Sequence, residues 1–193
     1  MEIYLGSKSP RRKELLTQME VPFEVLTVDI AEITAPHESP AAYSRRITEE
    51  KMQATWQKIS TEQRVPKPVL CADTEVVLDQ KILGKPSNKE EAFSMLKSYS
   101  GKCHEVLTSV GLKYLNYEKV MMNKTLVTFA AIPDAAINHY LSMDNYKDKS
   151  GSYGIQSYIG QYISKIEGCF YSVMGLPLNT VRELLLDLTK KIK

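Results

Sequence analysis

The run from Pro68 to Leu78, PVLCADTEVVL, constrains this chain more than any other segment. It is a short, largely β-branched and aliphatic stretch, bounded before by the polar, proline-containing loop 61–67 and after by Asp79-Gln80. That combination predicts a strand. The segments around it alternate in type. Residues 2–6 read as a strand, and Ser9-Pro10 then opens a helix to about Gln18 as an N-cap and N1 pair. Residues 23–28 read as a second strand, and Ser39-Pro40 begins an amphipathic helix to about Lys58. After a short strand at 81–83, Ser87 with Glu90 three residues on suggests a capping box. Residues 104–115 and 118–130 suggest a hairpin turning at Asn116-Tyr117. A helix over 133–143, a glycine-containing loop, the strand YISKI and a final helix from Asn179 complete the pattern. Strands alternating with helices predict an α/β fold with a mixed sheet.

At 193 residues the chain is long enough to bury a core without disulfides or structural metals, as one domain or two closely fused lobes. No repeat and no long linker divides it, so residues 1–193 are expected to form a single domain. The net charge of +2, with acidic and basic residues interleaved, argues against a dedicated DNA-binding protein. No apolar run approaches the roughly 18 residues of a membrane span, and MEIYLGSKSPRR lacks the apolar core of a signal peptide. No membrane partner and a cytoplasmic location are therefore expected. Cys71, Cys103 and Cys169 form no CxxC pair and are expected to be buried, reduced thiols. His37, His104 and His139 do not cluster, which weakens any Ser-His or zinc-hydrolase chemistry.

Common nucleotide and hydrolase motifs are absent: no GxxxxGK[ST], GxGxxG or GxSxG occurs, and Ser94-Met95-Leu96-Lys97 lies mid-helix without partners. Polar residues at element ends remain. In Gly6-Ser7-Lys8-Ser9-Pro10-Arg11-Arg12 a strand ends and a helix begins with two arginines in its first turn. Free N–H groups and the helix dipole suit a phosphate there, although a plain cap with solvated arginines fits as well. Asp73 inside an apolar strand is costly to bury without a metal, a base or a hydrogen-bond cluster. A strand edge or bulge is the alternative. Glu75 falls on the same strand face if no bulge intervenes, as a second carboxylate or a solvent-facing one. Lys85 in Leu83-Gly84-Lys85-Pro86 and the loop Asp148–Gln156, DKSGSYGIQ, have ligand-loop composition. Lys51, beside Glu49 and Glu50, is compatible with a solvated helix position.

Taken together, SKSPRRKELL, CADTEVVL, LGKP, MLKSYSGKCHEV, DKSGSYGIQ and VMGLP resemble the Maf family of nucleoside triphosphate pyrophosphatases nearly end to end. The resemblance implies two lobes around a nucleotide cleft, with a long mixed sheet flanked by helices as in inosine triphosphate pyrophosphatase. It implies hydrolysis of a nucleoside triphosphate to the monophosphate and pyrophosphate with a divalent metal, Mg or Mn. Asp73 matches the catalytic carboxylate or metal ligand, and Glu32 an acidic position near the metal. Lys51 and Lys85 match residues holding the phosphate chain, and Ser9 with Arg11 and Arg12 its cradle. Arg11, Thr74 and Gln156 match the positions that mark the subgroup acting on dTTP and UTP. Family members are often dimers, so a homodimer is possible, and no stable nucleic-acid partner is implied. The chain departs from the family pattern at Cys71, Glu75, Ser150 and Ser152. A regulator of septum formation that binds nucleotides or nucleic acid without turnover is the rival reading.

Overall fold

The computed structural model describes residues 1–192. In chain order its elements are β1 (Ile3–Leu5), α1 (Pro10–Gln18), β2 (Phe23–Val25), α2 (Pro40–Thr61), β3 (Val69–Leu78), β4 (Lys81–Leu83) and α3 (Lys89–Tyr99). Then follow β5 (Cys103–Tyr114), β6 (Tyr117–Phe129), α4 (Asp134–Ser142), β7 (Ile163–Glu167), α5 (Phe170–Met174) and α6 (Leu178–Lys191). The seven strands make one mixed sheet flanked by helices, in the order β2-β1-β3-β5-β6-β7, with β4 off that path on β3. Pairing is parallel for β1 with β2 and β3, and antiparallel for β3 with β4 and for β6 with β7. The expected α/β class with a mixed sheet is what the chain adopts. No helix among the described residues is long and apolar enough to cross a membrane.

Local expectations fail at a few places. β2 stops at Val25 rather than residue 28 because its partner β1 ends at Leu5; Leu26 still donates to the Leu5 carbonyl at 3.1 Å, and the ladder then has nothing to pair with. The cap of α3 is Asn88, not Ser87, since its Oδ1 accepts the Glu91 N–H at 2.8 Å. Glu91 reaches back to the Ser87 N–H and hydroxyl at 2.7 and 2.6 Å, so its carboxylate takes the donors of the residue before the cap, not the N–H of the cap itself. The hairpin turns at Leu115-Asn116, with Leu115 at φ +50°. The short helix α5 had no capping signal. Only Cys71 is a buried thiol: Cys103 is exposed and Cys169 half-buried.

The chain packs as two compact units. The first comprises Met1–Asp73, Thr108–Met122 and the segment from Gly175 onwards. Part of its core is Tyr4, Leu26, Met52, Ile59, Val69 and Cys71, with Trp56 and Val120 against them. The second comprises Thr74–Leu107 and Asn123–Met174. Its core includes Leu96, Tyr99, Phe129, Ile137, Tyr140 and Ile159. Within it His104 stacks on Phe129 at 5.7 Å and meets the Tyr153 hydroxyl through Nε2 at 2.7 Å. Its Nδ1 is buried without a hydrogen-bond partner among the described residues.

Burial pushes the His104 imidazole down to about 4. The folded chain therefore keeps His104 neutral while the unfolded chain protonates it near the ordinary value of 6.5. Its contribution is complete above that value and is lost as pH falls towards about 4, by up to about 3 kcal/mol. Urea unfolding of wild type and His104→Phe at pH 7 and pH 4.5 checks this. The variant is expected to lose less stability across that interval; parallel curves would contradict it.

Candidate active site

In the first unit the chain leaves β1 at Gly6. The Gly6 N–H donates to the Leu70 carbonyl at 2.9 Å, and a Cβ on Gly6 would stand 2.3 Å from Cys71 Sγ. A larger residue there would have to displace the Cys71 side chain. The next residue, Ser7, is buried, and its hydroxyl accepts the Ser9 N–H at 3.2 Å and Arg12 Nη1 at 3.1 Å. Arg12 Nε donates to the Gly175 carbonyl at 2.9 Å. Burial lowers the Arg12 guanidinium from its ordinary value, partly offset by the negative charge of Asp73. Ser9 stands at the N-cap as expected, but its side chain makes no capping bond. Ser7 organises the turn instead. The first turn of α1 contains no acidic residue, so Arg11 and Arg12 add to the positive end of the helix dipole.

Asp73 lies on β3 with its side chain 7% exposed, and its Oδ1 accepts Lys51 Nζ of α2 at 2.7 Å. The same ammonium is 2.7 Å from Glu32 Oε1, on the irregular stretch between β2 and α2. Burial alone would lower the Lys51 ammonium, but the two carboxylates outweigh it and hold it above its ordinary value. Lys51 is thus no solvated surface lysine. Two carboxylates share one cation, and Asp73 Oδ2 is buried with no hydrogen-bond partner among the described residues. A buried carboxylate oxygen left unsatisfied is costly unless something else meets it.

This donor set fits a divalent cation of the magnesium or manganese type. Both are hard ions that take oxygen ligands, and magnesium is usually held by one or two carboxylates together with substrate phosphates. No group of three or more His, Cys, Asp or Glu among the described residues could hold a metal alone.

The second unit carries the remaining residues. Thr74 is half-buried on β3, and Glu75 beyond it is buried. Ser150 Oγ donates to the Leu83 carbonyl at 2.9 Å, with Glu75 Oε2 at 3.5 Å, and the Gly151 N–H donates to the Gly84 carbonyl at 3.0 Å. The LGKP turn and the DKSGSYGIQ loop, far apart in sequence, are therefore tied together. Gly151 is at φ +68°, and a Cβ there would meet the Tyr99 hydroxyl at 2.6 Å. Tyr99 donates to the Gly151 carbonyl at 3.0 Å, fixing the loop to the core. Lys85 and Gln156 are exposed, and the Gln156 amide makes no hydrogen bond with the described residues. Lys149, not singled out from sequence, pairs with Asp148 at 2.6 Å and packs its chain over Gly154. Ser7 was signalled only by its place in the serine-rich turn, and the acceptor role of Gly175 had no signal.

Residues 2–188 match the family model described as Maf-like protein. The dTTP/UTP pyrophosphatase of Aliivibrio fischeri is 41% identical over 187 residues, covering 95% of this chain and 96% of the relative. That of Chromobacterium violaceum is 38% identical over 185 residues, covering 96% and 93%. A solved structure, a dITP/XTP pyrophosphatase from Mycobacterium abscessus, is 12% identical with a TM-score of 0.45, covering 69% of this chain and 76% of its own. A family match over residues 2–188, with relatives 41% and 38% identical across nearly their full length, means that the chain belongs to the Maf family.

Proposed function

We propose that the protein hydrolyses nucleoside triphosphates, dTTP and UTP foremost, to the monophosphate and pyrophosphate, as a single catalytic domain acting in the cytoplasm. The observation that carries this reading is Asp73: a buried carboxylate with one oxygen neutralised by Lys51 and the other unmatched by any donor. Such an oxygen is suited to accept a proton from water or to bind a cation. Asp73 and Glu32 would hold a magnesium or manganese ion, which when bound neutralises phosphate charge and polarises the scissile anhydride. Lys51 pairs with both carboxylates, at 2.7 Å from each. Arg11 and Arg12 at the start of α1, with Ser9, and Lys85 in the second unit supply positive charge and donors to the phosphate chain, where charge rearranges during the reaction.

Base choice falls to Gln156, with Arg11 and Thr74 as further specificity positions. A carboxamide offers a donor and an acceptor, complementary to the uracil and thymine edge, whereas a carboxylate only accepts and suits the cytosine amino group. Pyrophosphate release from dTTP, UTP, CTP and purine triphosphates with Mg²⁺ or Mn²⁺ tests the activity. Release from dTTP and UTP at least about tenfold faster than from the others is expected. No release from any nucleotide would defeat the reading. In Gln156→Glu the UTP-to-CTP ratio of kcat/KM should fall about tenfold or more. An unchanged ratio would remove Gln156 from base recognition.

A further inference from the structure

Glu32 stands on a segment, Leu26 to Glu38, that has no helix or strand to hold it. Its side chain is 48% exposed, yet it sits 2.7 Å from Lys51 Nζ. An ion pair with so exposed a partner contributes little and does not order a loop by itself. Lys58 and Lys8 hold the start of the segment, at the Thr27 carbonyl (3.0 Å) and Asp29 (2.8 Å), and the part from Ile33 onwards is held by one arginine on α2. Arg46 Nε and Nη2 each donate to a different oxygen of Glu38 at 2.7 Å, a two-pronged grip. Nη2 also donates to the carbonyl of Ile33, the residue next to Glu32, at 2.9 Å. Nη1 donates to Glu50 one helical turn on, at 2.8 Å, and Glu38 Oε2 in addition accepts the Ala35 N–H at 3.0 Å. The Glu38 side chain is only 9% exposed. Arg46 therefore binds the backbone beside Glu32 and the end of the same segment with one planar group. A lysine ammonium cannot reproduce that fork.

We infer that Arg46 and Glu38 are positioning residues for Glu32, clamping the 33–38 backbone to α2 so that the second carboxylate faces Lys51. The inference rests on the proposed role of Glu32 as a cation ligand. Neither residue touches Asp73 or Lys51, so the pair acts through loop placement alone.

Arg46→Lys, which keeps the charge and loses the fork, tests this in the full chain. Amide hydrogen exchange over residues 30–38 should speed up while α2 and β3 stay protected. The kcat for dTTP should fall about tenfold or more with KM within about threefold, as for a misplaced ligand. The Mn²⁺ concentration giving half the maximal rate should rise. In a Glu32→Ala background, Arg46→Ala should cause no further loss of kcat, because nothing remains to be positioned. Unchanged exchange over 30–38, or a full additional loss in the Glu32→Ala background, would overturn the assignment. The exchange measurement needs no substrate, so a wild-type chain that released no pyrophosphate would sink the functional reading alone.

Discussion

Asp73→Asn is expected to cut pyrophosphate release from dTTP by about a hundredfold or more while leaving the fold intact. The substitution conserves shape, so the Lys51 ammonium keeps an oxygen acceptor at Oδ1. At the buried second position, however, it places an amide donor where an unshared oxygen stood. Both properties a hydrolytic site would draw on, negative charge and a free acceptor, vanish together. Steady-state kinetics beside a thermal melt separate the two effects. Near-wild-type turnover would take Asp73 out of the chemistry.

Lys51→Met should be damaging in a different way. The methionine fills the volume but leaves the 7%-exposed side chain of Asp73 and the half-exposed one of Glu32 without their shared cation. Stranding one buried member of an ion pair costs about 3–5 kcal/mol, so the melting temperature should drop markedly along with activity. Adding Asp73→Asn to Lys51→Met removes the stranded charge. Stability should then recover by about half or more while hydrolysis stays absent, the non-additivity expected of groups in direct contact. A double variant no more stable than Lys51→Met would mean that the pair contributes less than its geometry indicates.

The α/β class was legible because periodicity and caps are local properties. Pro10 and Pro40 mark the two first helices where they start, and the apolar run around Asp73 became β3. The misplaced boundaries have non-local causes: β2 is cut short by the length of β1, which no window around Phe23 contains. Asp73 stood out because a carboxylate in an apolar strand is improbable without a partner. Its partner did not stand out. Lys51 among Glu49 and Glu50 has the composition of a wet helix face, and only packing against β3 reveals its burial. The same holds for the Gly175 carbonyl, whose acceptor role for Arg12 is backbone chemistry that any residue type could supply.

That last bond has a consequence for how the chain is made. The first unit is assembled from three stretches separated by the whole of the second, and Arg12 meets the Gly175 carbonyl across 163 residues of sequence. Synthesis runs from the N-terminus, and contacts so distant in sequence are closed late and slowly. A nascent chain emerging from the ribosome thus exposes SKSPRR long before the acceptor that fixes its second arginine has been translated. The Ser7 contacts can form early, but the last hold on Arg12 is a property of the longer polypeptide, and clipping the chain ahead of Gly175 would leave its Nε without that acceptor.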